Sequence, residues 1–160
     1  MGKKVATCAV LVALAMIFSY IEAILPIPFG VPGVKLGLAN LVVVPGFYIL
    51  RPGEVFLVSA VRILLSSLLF GNALSLLYSL AGGILSFFVM LGLKHVKGFS
   101  VAGVSLAGGV AHNIGQIAVA AWVVKNTAVL YYLPALTAAG VAAGLLMGIL
   151  ASRVLAVLRR

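Results

Sequence analysis

Six long apolar stretches, separated by short turns that contain Pro, Gly and basic residues, make up most of the 160-residue chain. A helix needs roughly 20 apolar residues to cross a membrane core of about 30 Å. By that measure we predict six transmembrane helices, at Val5–Leu25, Leu36–Leu50, Glu54–Phe70, Asn72–Leu93, Ser100–Val124 and Pro134–Leu158. The second and third are short, so we expect one of them to be tilted, broken or partly buried by its neighbours. No turn is long enough for another domain, so we expect residues 1–160 to form one all-α integral membrane domain.

The composition excludes a soluble enzyme. Apolar residues make up 64% of the chain and charged residues 8%, whereas about 25% of the residues in soluble domains are charged. The chain has no Asp, which excludes aspartate-rich magnesium–diphosphate motifs and EF-hand loops. Its single Cys8 excludes an internal disulfide and a cysteine zinc cluster. We therefore predict no enzymatic activity, no metal and no cofactor.

The basic residues predict the orientation in the membrane, because cytoplasmic loops are enriched in Lys and Arg. With a cytoplasmic N-terminus and six crossings, eight of the eleven basic residues lie inside, two outside and Arg62 within the third span. The inner eight are Lys3, Lys4, Arg51, Lys94, Lys97, Arg153, Arg159 and Arg160, and the outer two are Lys35 and Lys125. We expect a multi-pass protein of a prokaryotic cell membrane with both termini in the cytoplasm. Basic residues at helix ends do not form a nucleic-acid interface.

The first apolar stretch also follows two lysines, as a signal peptide does. It is about twice as long as the apolar region of a signal peptide, and it leads to Glu22 and a Pro-rich loop. We therefore expect it to be a retained transmembrane helix.

Polar side chains recur at helical spacing inside the spans, where they usually face the bundle interior. Ser59, Arg62 and Ser66 share one helix face, and His112 and Gln116 share another. With the assigned orientation, they predict a substrate pocket that is open to the exterior and closed toward the cytoplasm. Its candidate residues are Glu22, Lys35, Asn40, Arg62, Asn72, His112, Asn113 and Gln116. A structural ion pair between Arg62 and Glu22 is the alternative for those two residues, and serines in spans often bond to their own helix.

Two other features have both a structural and a functional interpretation. The segment Pro26–Asn40, with three Pro, three Gly and Lys35, is either a lid over the pocket or a plain connector. Small residues at Gly140, Gly144 and Gly148 predict close helix packing. The pair Ala9 and Ala13 indicates either packing within the bundle or a docking surface for a partner.

The stretch Pro32–Asn40, read PGVKLGLAN, follows Tyr20-Ile21-Glu22 and resembles the family called heptaprenyl diphosphate synthase component I, also termed Gx transporter proteins. The likeness covers nearly the whole chain, including the His112-Asn113-xx-Gln116 run. This family is similar to the substrate-binding S components of energy-coupling factor (ECF) vitamin transporters. The resemblance implies a six-helix S component that captures a micronutrient from outside. It also implies that Ala9 and Ala13 dock a transmembrane T component, which works with two cytoplasmic ATPases.

Two alternatives to an S component stay open. One is a membrane accessory subunit of isoprenoid or polyprenyl diphosphate synthesis, which binds a prenyl chain without catalysis because the sequence has no Asp. The other is a small self-contained channel or carrier.

Overall fold

Six α-helices and one 3₁₀-helix form most of residues 2–24 and 38–158, which the computed structural model describes. No strand occurs in these two ranges. The α-helices are α1 (Gly2–Ile24), α2 (Asn40–Ile49), α3 (Pro52–Phe70), α4 (Ala73–Leu93), α5 (Val101–Val124) and α6 (Leu133–Leu158), and the 3₁₀-helix spans Thr127–Tyr132.

Five of the six α-helices are long and apolar enough to cross a membrane. The exception is α2, whose ten residues extend about 15 Å at 1.5 Å per residue, or half of a membrane core. The prediction of six spans is therefore confirmed for five of them. In place of a second full span the chain has a half-length helix, and the first residues of that predicted span, 36 and 37, lie outside the described ranges.

The helices pack side by side in the order α1, α3, α4, α5, α6 and α2, and the contact of α2 with α1 closes the ring. Helix α2 also contacts α3. Helices α1 and α3 begin at the same end, where Lys4 Nζ lies 3.8 Å from Glu54 Oε1. The end of α4 meets the end of α2, because Lys94 Nζ donates a hydrogen bond to the Phe47 carbonyl. We call this the basic end, since it carries most of the described basic side chains: Lys4, Arg51, Lys94, Lys97 and Arg153.

The interior of the basic end is filled by apolar side chains. This basic-end core consists of Val43, Val44, Phe47, Val55, Phe87, Met90, Val104 and Ala151, drawn from five helices. The rings of Phe47 and Phe87 lie 5.2 Å apart, and those of Phe56 and Phe87 lie 5.1 Å apart. The bundle is therefore closed at this end by close-packed apolar groups.

Glycines let the backbone of α5 touch the backbones of both neighbouring helices. A Cβ atom on Gly144 would lie 2.8 Å from Leu106 Cα, and one on Gly109 would lie 2.5 Å from the Gly140 carbonyl oxygen. Such contacts leave no room for any side chain. The three glycines of α6 thus form a packing face against α5, as their spacing predicts.

Side chains also fix the starts of two helices. Glu54 Oε2 accepts a hydrogen bond of 2.9 Å from the Arg51 backbone N–H at the start of α3. At the start of α4, Asn72 Oδ1 accepts from the Ser75 N–H at 2.8 Å, and Ser75 Oγ accepts from the Asn72 N–H at 2.9 Å. These bonds satisfy backbone donors that a helix N-terminus otherwise leaves unpaired.

We expect Gly144→Ala to destabilise the protein by about 1–3 kcal/mol, because the new methyl group meets the α5 backbone. Thermal unfolding in detergent, followed by circular dichroism, measures this. Gly92→Ala is the matched control, since a Cβ at Gly92 has nothing within 4 Å. Equal loss of stability in both variants would contradict the close contact.

We expect Asn72→Ala to lower the free energy of unfolding by about 1 kcal/mol through loss of the cap, and Asn72→Ser to retain most of it. The same unfolding assay compares the two variants. Identical stabilities would show that the hydrogen bonds of Asn72 do not hold the start of α4.

Candidate functional site

Five of the predicted site residues lie in the middle part of the bundle, beyond the basic-end core. We call Asn40, Arg62, His112, Asn113 and Gln116 the polar level. At 1.5 Å per residue, Arg62 is about 12 Å from Glu54 along α3. By the same measure His112 is about 16 Å beyond the start of α5, and Asn40 is about 10 Å from Phe47. These ionisable and amide side chains therefore lie near the middle of the bundle.

Arg62 is the charged residue of the polar level and the eleventh of the nineteen residues of α3. The residue is partly accessible, but its Nε is fully buried and has no hydrogen-bond partner among the described residues. The carboxylate of Glu22, on α1, interacts electrostatically with the guanidinium. The structure thus brings the two oppositely charged residues of the sequence prediction within range of each other.

His112 and Gln116 lie against α4 where that helix has no side chain. A Cβ on Gly82 would lie 2.9 Å from His112 Nδ1 and 2.9 Å from Gln116 Cγ. The adjacent Gly83 faces α3, since its Cβ would lie 2.5 Å from Ile63 Cδ1. Sequence reasoning missed this glycine pair, although two neighbouring glycines in the middle of an apolar span indicate helices close by on two sides.

Asn113 connects α5 to α6. Its Nδ2 donates a hydrogen bond of 2.6 Å to the Leu136 carbonyl, and the same nitrogen would lie 2.8 Å from a Cβ on Gly140. Interhelical hydrogen bonds of this kind stabilise membrane bundles. The side chain therefore has a packing function, and its ligand contact stays a prediction.

The remaining candidates lie apart from the polar level or outside the described ranges. Asn72 is exposed at the end opposite the basic end, where it caps α4. Lys35 lies outside the described residues, as does most of the predicted lid, of which 38–40 are described. Ser66 donates to the Ile63 carbonyl of its own helix at 3.2 Å, in agreement with the structural interpretation. In the described ranges, His, Cys, Asp and Glu form no cluster of three that would suit a metal ion.

The first helix presents two different faces. Ala15, on one face, is buried against Ala39 and Val42. Ala9 and Ala13, on the other, are exposed. These two small residues are thus not used for packing against the described helices.

The chain was compared with known families, proteins and structures. The model of the family described as heptaprenyl diphosphate synthase component I matches residues 11–154, about nine tenths of the chain. The search of the curated proteins and that of the solved structures found no match. Because the family match covers nearly all of its length, this chain belongs to the heptaprenyl diphosphate synthase component I family.

Proposed function

We propose that this chain is a substrate-binding S component of an ECF-type importer, which captures a small polar molecule from outside a prokaryotic cell. A transmembrane T component and two cytoplasmic ATPases would supply the energy. The sequence has no phosphate-binding GxxxxGK[ST] motif of its own. It also has no Asp, and we propose that it catalyses no reaction.

The observation that supports capture is the polar level beside the basic-end core. Ionisable and amide side chains at mid-membrane depth are costly, and they commonly mark substrate sites. On the basic-end side of this level the interior is apolar and close-packed. Helix α2 begins only at Asn40, so it spans about half the length of the neighbouring helices. With the basic end in the cytoplasm, a site at the polar level would be open to the exterior.

The exposed face of α1 supports docking to a membrane partner. Ala9 and Ala13 are four residues apart on that face, and small residues at this spacing allow two helices to approach closely. The resemblance to S components gives the same two residues a docking role.

The family description favours a second candidate. A component I implies a partner subunit of heptaprenyl diphosphate synthase, so this chain would be a non-catalytic membrane subunit that assembles with a soluble prenyltransferase. Co-purification from native membranes separates the candidates. Recovery of a T component and ATPases supports the importer. Recovery of a prenyltransferase without an ATPase would contradict the importer and support the synthase subunit. Uptake by the purified chain alone in vesicles without ATP would favour a self-contained carrier.

We expect Arg62→Ala or His112→Ala to lower the affinity for the co-purifying small molecule by about tenfold or more, as expected when a hydrogen bond to a charged or polar group is lost. Mass spectrometry identifies that molecule and calorimetry measures its affinity. Arg153→Ala and His95→Ala are matched controls, because both residues are exposed at the basic end. Unchanged affinity in both test variants would show that Arg62 and His112 do not bind the molecule and have structural roles.

We expect Ala9→Trp to prevent recovery of the T component and ATPases while small-molecule binding is retained, because a large side chain keeps the two helices apart. Ala142→Trp is the control, since Ala142 is also exposed but lies on α6. Affinity purification of each tagged variant measures assembly. Loss of assembly in both variants, or in neither, would exclude a specific role for this face.

A further inference from the structure

The N–H of Arg62 Nε is the buried donor that the described structure leaves unsatisfied. Leaving such a donor unpaired is costly, and most of all for a charged group. Its neighbours on α3 do not accept from it: no hydrogen bond joins Nε to Ser66, and Ile63 is apolar and buried. The guanidinium therefore has a buried N–H donor that is available for a hydrogen bond.

Neither of the two glutamates of the sequence accepts a hydrogen bond from this donor. Glu54 lies at the basic end, where Oε1 is 3.8 Å from Lys4 Nζ and Oε2 accepts from the Arg51 N–H. Glu22 attracts the guanidinium, but Nε itself has no hydrogen-bond partner among the described residues.

We propose that the captured molecule carries a carboxylate or phosphate group, and that Arg62 binds two of its oxygens side-on through Nε and one terminal nitrogen. The proposal rests on the proposed function and names the class of its substrate. A guanidinium presents paired N–H donors in a planar fork that matches an oxyanion. An oxyanion in direct contact satisfies the buried Nε donor, which has no hydrogen-bond partner among the described residues.

The probes are sodium phosphate, sodium pyrophosphate and sodium benzoate, each compared with sodium chloride at matched ionic strength. Purified protein in detergent is unfolded thermally in each salt. We expect at least one oxyanion in tenfold excess over its dissociation constant to raise the melting temperature by about 3 °C or more. Stabilisation by benzoate alone indicates a carboxylate ligand, and stabilisation by phosphate or pyrophosphate indicates a phosphorylated one.

Two substitutions test whether Arg62 is the binding group. Arg62→Lys keeps the positive charge but removes Nε and the fork, so we expect it to abolish the shift. Arg153→Lys is the matched change at an exposed position and should leave the shift intact. No shift with any oxyanion in the native chain, or the same shift in Arg62→Lys, overturns the proposal.

If Arg62→Lys does not fold, the native protein still gives a test. Phenylglyoxal modifies arginine side chains, and peptide mass spectrometry maps the modified positions. The stabilising oxyanion should slow modification of Arg62 and not that of Arg153, and equal rates with and without it would overturn the proposal. Co-purification of an uncharged molecule whose binding needs Arg62 would overturn the proposal that the ligand carries an oxyanion. It would leave the proposed capture function in place.

Discussion

The direct backbone contact of α5 with α4 and α6 is the interaction on which the rest of the bundle depends. In a membrane the hydrophobic effect does not drive helices together, so close van der Waals contact and interhelical hydrogen bonds must do so. Glycines provide that contact on both sides of α5, through Gly82 toward α4 and through Gly109, Gly140 and Gly144 toward α6. The same contacts bring His112 and Gln116 against α4 and Asn113 within hydrogen-bond distance of α6. Packing and site geometry therefore have one cause.

The interior near the basic end is mainly apolar and holds the side chains of Phe47, Phe87 and Met90. The polar side chains of Ser86 and Ser105 are also buried there. The ionisable and amide side chains of the polar level begin where that core stops.

Helix positions could be predicted from the sequence, because long apolar runs indicate spans without reference to other helices. The predicted start of α3 was two residues late and that of α4 one residue early, since Pro52 and the cap at Asn72 set them. The second predicted span was already short, but its observed length of ten residues was not predicted. Hydropathy measures how apolar a run is, whereas Leu38 and Ala39, apolar as they are, form a turn.

For the candidate site, the sequence predicted which residues share a face of one helix, but not how residues on different helices lie relative to one another. Spacing placed His112 and Gln116 on one face, but their position relative to Arg62 depends on the register between helices, which one helix does not encode. The hydrogen bond from Asn113 to Leu136 and the glycine pair at Gly82 and Gly83 depend on that register too. Asn72 was grouped with the site by helical spacing, although it is exposed and caps α4 at the end opposite the basic end.

The position of Arg62 halfway along α3 has an electrical consequence. A charge that crosses a whole membrane works against about 2.3 kcal/mol for every 100 mV of potential. A charged solute that stops at mid-depth crosses about half of the membrane potential. This corresponds to about 1 kcal/mol per elementary charge for every 100 mV. Occupancy of a site at Arg62 by an ion would thus vary with the voltage across the membrane as well as with concentration.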